Sequence, residues 1–182
     1  MGKVSGAQIS GGKSAYGRNE ADFYPTPSEV TVSLLNFLDL PKETRIWEPA
    51  CGKGHMVLTF MSHGYRNVVG TDLNFGVDFL TCANMDCDWI ITNPPFSIAD
   101  KFIERAWDTG KPFAFVLKSQ YWHAKRRYEL FQKCTPSHIL ALTWRPDFMF
   151  GTRGSGSPTM DVIWCIWDRK SEGCKYSPIL KP

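Results

Sequence analysis

Between Pro25 and Trp167 the sequence alternates between two kinds of apolar pattern, and this alternation limits the possible folds more than any other feature. Short runs rich in β-branched and aromatic residues read as strands: Arg45–Glu48, Asn67–Asp72, Trp89–Thr92, Pro112–Leu117, Ile139–Thr143 and Asp161–Trp167. Stretches with apolar residues three and four apart lie between them and read as helices. The first starts at Pro27 or Ser28 and carries Val30, Leu34, Phe37 and Leu38 on one face. A second runs from Gly54 to His63 and is stopped by Gly64. The third, Ile98–Trp107, turns Ile98, Phe102, Ile103 and Ala106 inward and ends at Gly110. A fourth, Ala124–Lys133, has a basic face. Pro112–Leu117 is apolar throughout, as expected of a central strand covered on both sides. Strands alternating with helices predict an α/β fold, an open and mostly parallel sheet with helices on both faces.

A chain of 182 residues, 43% of them hydrophobic, suits one ordinary domain with a real core. Residues 1–20 are Gly- and Ser-rich with Lys3, Lys13 and Arg18, and are expected to be a flexible basic leader able to drape along a phosphate backbone. Residues 21–168 are the expected domain, and 169–182 a short basic tail. Arg145–Met160 is Gly/Ser-rich and lacks periodicity, which in a compact domain marks a functional or disordered loop. No run of eighteen apolar residues occurs, so no membrane-spanning helix is expected. The first twenty residues hold no apolar stretch, so a secretory signal is not expected either. Together these point to a cytoplasmic protein. The six cysteines at 51, 82, 87, 134, 165 and 174 include no C-x-x-C pair, so the reading is reduced structural thiols and no metal site. A net charge of +3 permits a polyanionic partner without requiring one.

The chemistry concentrates in two places. Glu48-Pro-Ala-Cys-Gly-Lys-Gly54-His55 follows a strand and opens a helix, and Gly52 and Gly54 allow a tight turn and close approach to a ligand. Eighteen residues after Gly54, Asp72 ends the next strand, where a carboxylate can accept from both ribose hydroxyls of a nucleoside. The third glycine of a dinucleotide fingerprint is replaced by Val57, and no phosphate-cradling G-x-x-x-x-G-K-S/T is present. The second place is Asn93-Pro94-Pro95-Phe96, directly after the Trp89–Thr92 strand. In open sheets ligands bind beyond the carboxyl ends of strands. The two prolines stiffen the turn. The Asn93 side-chain oxygen and the Pro94 carbonyl are then two acceptors aimed at one point, which suits a planar amino group with two N–H donors. Phe96 offers a face on which a ring can stack.

These residues together resemble the amino-methyltransferases that act on adenine in DNA, in the motif order called gamma, and small phage-type enzymes in particular. The resemblance covers about residues 22 to 167, and it implies S-adenosylmethionine as cofactor. Tyr24, Pro25 and Thr26 resemble the motif that contacts the methionine part. Glu48, Ala50, Cys51, Gly52, Gly54 and His55 resemble the glycine-rich cofactor motif, and Asp72 with Leu73 the ribose site. Asp78 and Phe79 resemble the pair that holds the cofactor's adenine. Asn93, Pro94, Pro95 and Phe96 correspond to the catalytic tetrapeptide. The partner implied is DNA, either a duplex with a flipped adenine or a single strand, and the protein a monomer or homodimer. Phe148 or Phe150 would stack on the target base, and sequence does not decide between them. Lys118, Arg126, Arg145 and Arg153 are candidate phosphate contacts, along with Lys125 and Arg127. Trp122, beside the basic helix, is a candidate DNA contact.

Two departures from the family pattern stand out. Only five residues separate Asp72 from Asp78, so the usual intervening helix and strand are cut short. No separate target-recognition domain follows Trp167, which predicts low or very short sequence specificity. The same tetrapeptide also occurs in enzymes that methylate amino groups in RNA or a glutamine amide in a protein. Phe96 and the Tyr24–Pro27 motif favour adenine in DNA. Cytosine-carbon methylation is not supported, since no Pro-Cys dipeptide occurs. A catalytically silent nucleic-acid-binding relative would have no reason to keep the tetrapeptide intact.

Overall fold

The computed structural model describes residues 25–149 and 157–182. Seven strands form one sheet: β1 (Ile46–Glu48), β2 (Val68–Gly70), β3 (Trp89–Thr92), β4 (Phe113–Lys118), β5 (His138–Leu142), β6 (Val162–Trp167) and β7 (Lys175–Ile179), in spatial order β2-β1-β3-β4-β6-β5-β7. β2, β1, β3 and β4 run parallel, β6 lies antiparallel to both β4 and β5, and β7 is parallel to β5. Among the described residues four helices accompany them: α1 (Ser28–Leu38), α2 (His55–Ser62), α3 (Ala99–Asp108) and α4 (Tyr128–Lys133).

The period-two pattern of β4 divides the core into two layers. Phe113, Phe115 and Leu117 join Trp47, Ile90, Phe102, Ile103 and Trp167 on one face. Ala114 and Val116 join Val30, Leu34, Phe60, Ile91 and Trp164 on the other. Thus α3 and α4 cover the first face, and α1 and α2 the second. Buried tryptophans supply apolar area and also satisfy their own N–H groups. Trp164 Nε1 donates to the Val30 carbonyl at 3.0 Å, tying β6 to α1, and Trp167 Nε1 donates to the Cys134 carbonyl at 2.7 Å.

Several expectations need correction. The tail after Trp167 contains β7, paired with β5 from His138↔Lys175 to Leu142↔Ile179. Lys175-Tyr-Ser-Pro-Ile179 shows no apolar alternation because both of its faces are largely exposed. It is an edge strand held by backbone bonds, where Pro178 is tolerated. Ala124–Lys133 is not one helix: a 3₁₀ turn, Lys125–Arg127, precedes the six-residue α4. Phe37 is exposed beside His138 rather than part of the α1 core face. As the five-residue spacing predicts, only a 3₁₀ turn, Leu73–Phe75, lies between β2 and Asp78, which leaves β2 at the sheet edge. No helix among the described residues is long and apolar enough to cross a membrane.

Candidate active site

A cavity of about 600 Å³ opens beyond the carboxyl ends of β1, β2 and β3. Its cofactor-type wall begins where β1 ends at Glu48. The chain turns at Gly52 (φ 52°) and Gly54 (φ 79°), a left-handed geometry that favours glycine, and enters α2. Asp72 fastens this turn to β2: its Oδ2 accepts from the Gly52 N–H at 2.8 Å and its Oδ1 from the Asn74 N–H at 2.9 Å. Each carboxylate oxygen has a second lone pair, so Asp72 can order the loop and still accept from a ligand hydroxyl.

Glu48 is buried, and its Oε2 accepts from the Val57 N–H at 3.1 Å. Burial pushes its pKa up to about 8, opposed by that hydrogen bond and reinforced by the charge of Asp72. The Cys51 thiol rises to about 11, chiefly through burial and then through Glu48 and Asp72, so it is a packing group rather than a nucleophile at neutral pH. Gly70 is a positioning residue that sequence reasoning missed. A Cβ there would stand 2.8 Å from Val57 Cγ2 and 3.0 Å from Cys51 Cβ. Only a bare backbone lets β2 come this close to the glycine loop. The signal for this was its place in the strand beside Cys51, which becomes visible only once β1 and β2 are paired.

Pro25, Thr26, Glu48, Ala50, Cys51, Gly52, His55, Asp72, Leu73, Asp78 and Phe79 all line the cavity. Gly54 shapes the turn without being part of the lining, and Tyr24 lies outside the described residues. Phe79 is buried, edge-on to Trp47 at 5.1 Å and tilted against Phe102 at 4.9 Å. Asp78 Oδ1 accepts from the Leu80 N–H at 2.9 Å, which makes Asp78 the cap of its own turn. Ile98, Phe102, Val77 and Phe75 extend the apolar lining and were not singled out from sequence. Leu73 and Phe75, 71% and 69% exposed, stand at the rim.

The same cavity is lined by Asn93, Pro94 and Pro95. Asn93 Nδ2 donates to Thr26 Oγ1 at 3.1 Å. Phe96 is not part of the lining; it opens a 3₁₀ turn, with Lys118 Nζ 4.9 Å from its ring centroid. That contact uses the Lys118 ammonium as a cation over an aromatic face.

The structure treats the remaining acceptor-side candidates differently. Phe148, at 4% exposed, belongs to the core layer that also holds Val30, Leu34 and Trp164. Phe150 and Arg153 lie outside the described residues. Arg145 pairs with Asp161 at 2.7 Å on the surface. Arg126 is exposed, whereas Arg127 turns inward, 3.8 Å from the Tyr121 ring centroid, and donates to the Tyr121 carbonyl. Trp122, partly buried, packs edge-on against Phe131 at 5.0 Å with its Nε1 3.4 Å from Cys165 Sγ at the edge of the first core layer. Among the described residues no group of three His, Cys, Asp or Glu side chains is placed to hold a metal ion.

The parallel β2-β1-β3-β4 order followed by an antiparallel β6 is the Rossmann-like fold of class I methyltransferases, and solved structures of that class match it. One is the type I restriction-modification methyltransferase subunit from Streptococcus thermophilus, at TM-score 0.59 and 13% identity, covering 87% of this chain and 48% of that one. A dimethyladenosine transferase from Plasmodium falciparum aligns at TM-score 0.55 and 12% identity, over 81% of this chain and 64% of that one. An S-adenosylmethionine-dependent O-methyltransferase from Thermotoga maritima aligns at 0.52 and 14%, over 80% and 67%. The chain therefore spans about half the length of the restriction-modification subunit. No family model and no curated protein matches the sequence.

Proposed function

We propose that this chain is an S-adenosylmethionine-dependent methyltransferase that modifies the exocyclic amino group of adenine in DNA. The observation that carries the reading is that Asn93, Pro94 and Pro95 line one cavity with Glu48, Gly52 and Asp72. A volume of about 600 Å³ lies within the range of cofactor sites. The lining provides three carboxyl groups, Glu48, Asp72 and Asp78, and an apolar set, Ile98, Phe102 and Phe79, which fits a cationic nucleoside with a flat base. The cofactor supplies an electrophilic sulfonium methyl.

Asp72 would hold the ribose hydroxyls, and Glu48 would stabilise positive charge in the cavity. Phe79, Phe102 and Ile98 would enclose the adenine. On the acceptor side the lone pair of adenine's amino nitrogen is delocalised into the ring. Hydrogen bonds from its two N–H groups to the Asn93 oxygen and the Pro94 carbonyl favour a pyramidal nitrogen and localise that pair. The protein then contributes positioning and electrostatic stabilisation, with no covalent enzyme intermediate. Lys125 and Arg126, both exposed, and Lys118 beside Phe96 are the described basic side chains offered for phosphate contacts.

The test is to incubate the purified protein with methyl-labelled cofactor and, in parallel, DNA, RNA and protein acceptors, then digest and identify the labelled product. Label in 6-methyladenine from DNA is expected. Label only in RNA or in a protein glutamine would move the acceptor to that class. Absence of label in every acceptor would refute the methyl-transfer reading.

A further inference from the structure

Thr26 is grouped with the cofactor residues by its motif, yet its described hydrogen bond goes to the other half of the site. Its Oγ1 accepts from Asn93 Nδ2 at 3.1 Å, across 67 positions of sequence. Thr26 itself is 5% exposed. Its backbone is stiffened from both sides: Pro25 and Pro27 have fixed φ, and a residue before proline is biased towards extended conformations. Pro27, at φ −58° and ψ 142°, directly precedes α1, and its carbonyl accepts from the Val30 N–H at 3.0 Å. The hydroxyl is thus presented from a rigid support.

A carboxamide has an oxygen that accepts and a nitrogen that donates, and rotation about its last bond exchanges them. An amino group with two N–H donors needs the oxygen. Were the amide reversed, donor would face donor. A bond from Nδ2 to Thr26 ties the carboxamide to this rigid support and turns Oδ1 to the opposite side of the planar group. We infer that Thr26 is a positioning residue that anchors the Asn93 carboxamide in place beside the acceptor amino group. The inference rests on the proposed role of Asn93, and it assigns Thr26 to acceptor geometry in addition to the cleft wall.

The experiment compares Thr26→Val, which keeps the shape and removes the hydroxyl, with Thr26→Ser, which keeps the hydroxyl, and with Thr26→Ala. At saturating cofactor the Val and Ala variants are expected to lose about tenfold in single-turnover rate, the scale of one lost hydrogen bond, and Ser to recover most of it. Cofactor affinity by calorimetry separates this rate effect, read at saturation, from any change in the cofactor contact at the cleft wall. In the protein without substrate, the NMR signals of the Asn93 side-chain NH₂ are expected to move in Val and Ala and to stay in place in Ser. Unmoved Asn93 signals in a folded Val or Ala variant overturn the inference. So does a variant whose only defect is weaker cofactor binding, with an unchanged rate at saturation. If the unsubstituted protein methylates nothing, the proposed function fails, while the NMR comparison still decides the Thr26–Asn93 bond.

Discussion

The two sides of the cleft are built differently. The cofactor-type wall comes from contiguous sequence, Glu48 to His55, closed by Asp72, and its key bonds are backbone N–H groups donated to carboxylates: Gly52 and Asn74 to Asp72, and Val57 to Glu48. The acceptor side draws on segments far apart in the chain. Thr26 meets Asn93, Lys118 covers Phe96, and Arg145 is held by Asp161. A wall that must fit one invariant ligand can be written as a short motif. The opposite wall is assembled by tertiary packing, with exposed charges around it.

The sharpest way to break this comparison is Asn93→Ala. It is expected to lower the single-turnover rate by about 100-fold or more, the scale of one lost preorganised polar group, while cofactor affinity stays unchanged. A rate within a few-fold of the original would remove Asn93 from the acceptor side. On the opposite wall, Asp72→Ala is expected to weaken cofactor binding by about 1–3 kcal/mol, as for hydrogen bonds to a charged group. Unchanged calorimetric affinity in a folded variant would overturn the ribose assignment.

Glu48 links the cofactor wall to pH. With its carboxyl raised from 4.5 to about 8 by burial, the folded protein keeps a proton that the unfolded chain releases. Stability from this group is therefore full below pH 4.5, falls as pH rises through the window to about 8, and levels off above it. A cation seated in the cavity favours the carboxylate, so its binding releases a proton near pH 7 and tightens as pH rises towards 8. Calorimetry in buffers of different ionisation enthalpy measures that proton, and Glu48→Gln is expected to abolish its contribution.

Gly70→Ala tests the close approach of β2 to the glycine loop. Overpacking of this kind costs about 1–3 kcal/mol, to be read from denaturant melts, with weaker cofactor binding alongside. The smallest effect is expected at Arg145→Ala. Both members of its pair with Asp161 are more than half exposed, and such pairs contribute about 0–1 kcal/mol, so stability should hardly move. A large loss there would show that the acceptor side is more tightly built than its surface pairs suggest.

Local pattern was enough for the sheet strands with strong apolar runs, for α1 to α3 and for the two motif loops, because each is determined by neighbours in sequence. β4 reads as buried on both faces because every residue from Phe113 to Leu117 is apolar, and both core layers use it. The tetrapeptide and the glycine loop could be placed at strand ends because turn chemistry there is also local. β7 was illegible, since an edge strand needs only backbone partners and leaves no apolar signature. Phe148 and Trp122 looked like contacts for nucleic acid because an aromatic residue beside a basic or irregular segment carries the same letters whether it packs or projects. Only tertiary structure put Phe148 in a buried core layer and packed Trp122 against Phe131, Cys165 and Trp167. The same holds for Gly70 and for the Thr26–Asn93 bond: each depends on two segments meeting across the sheet, and no spacing in a single chain records such a meeting.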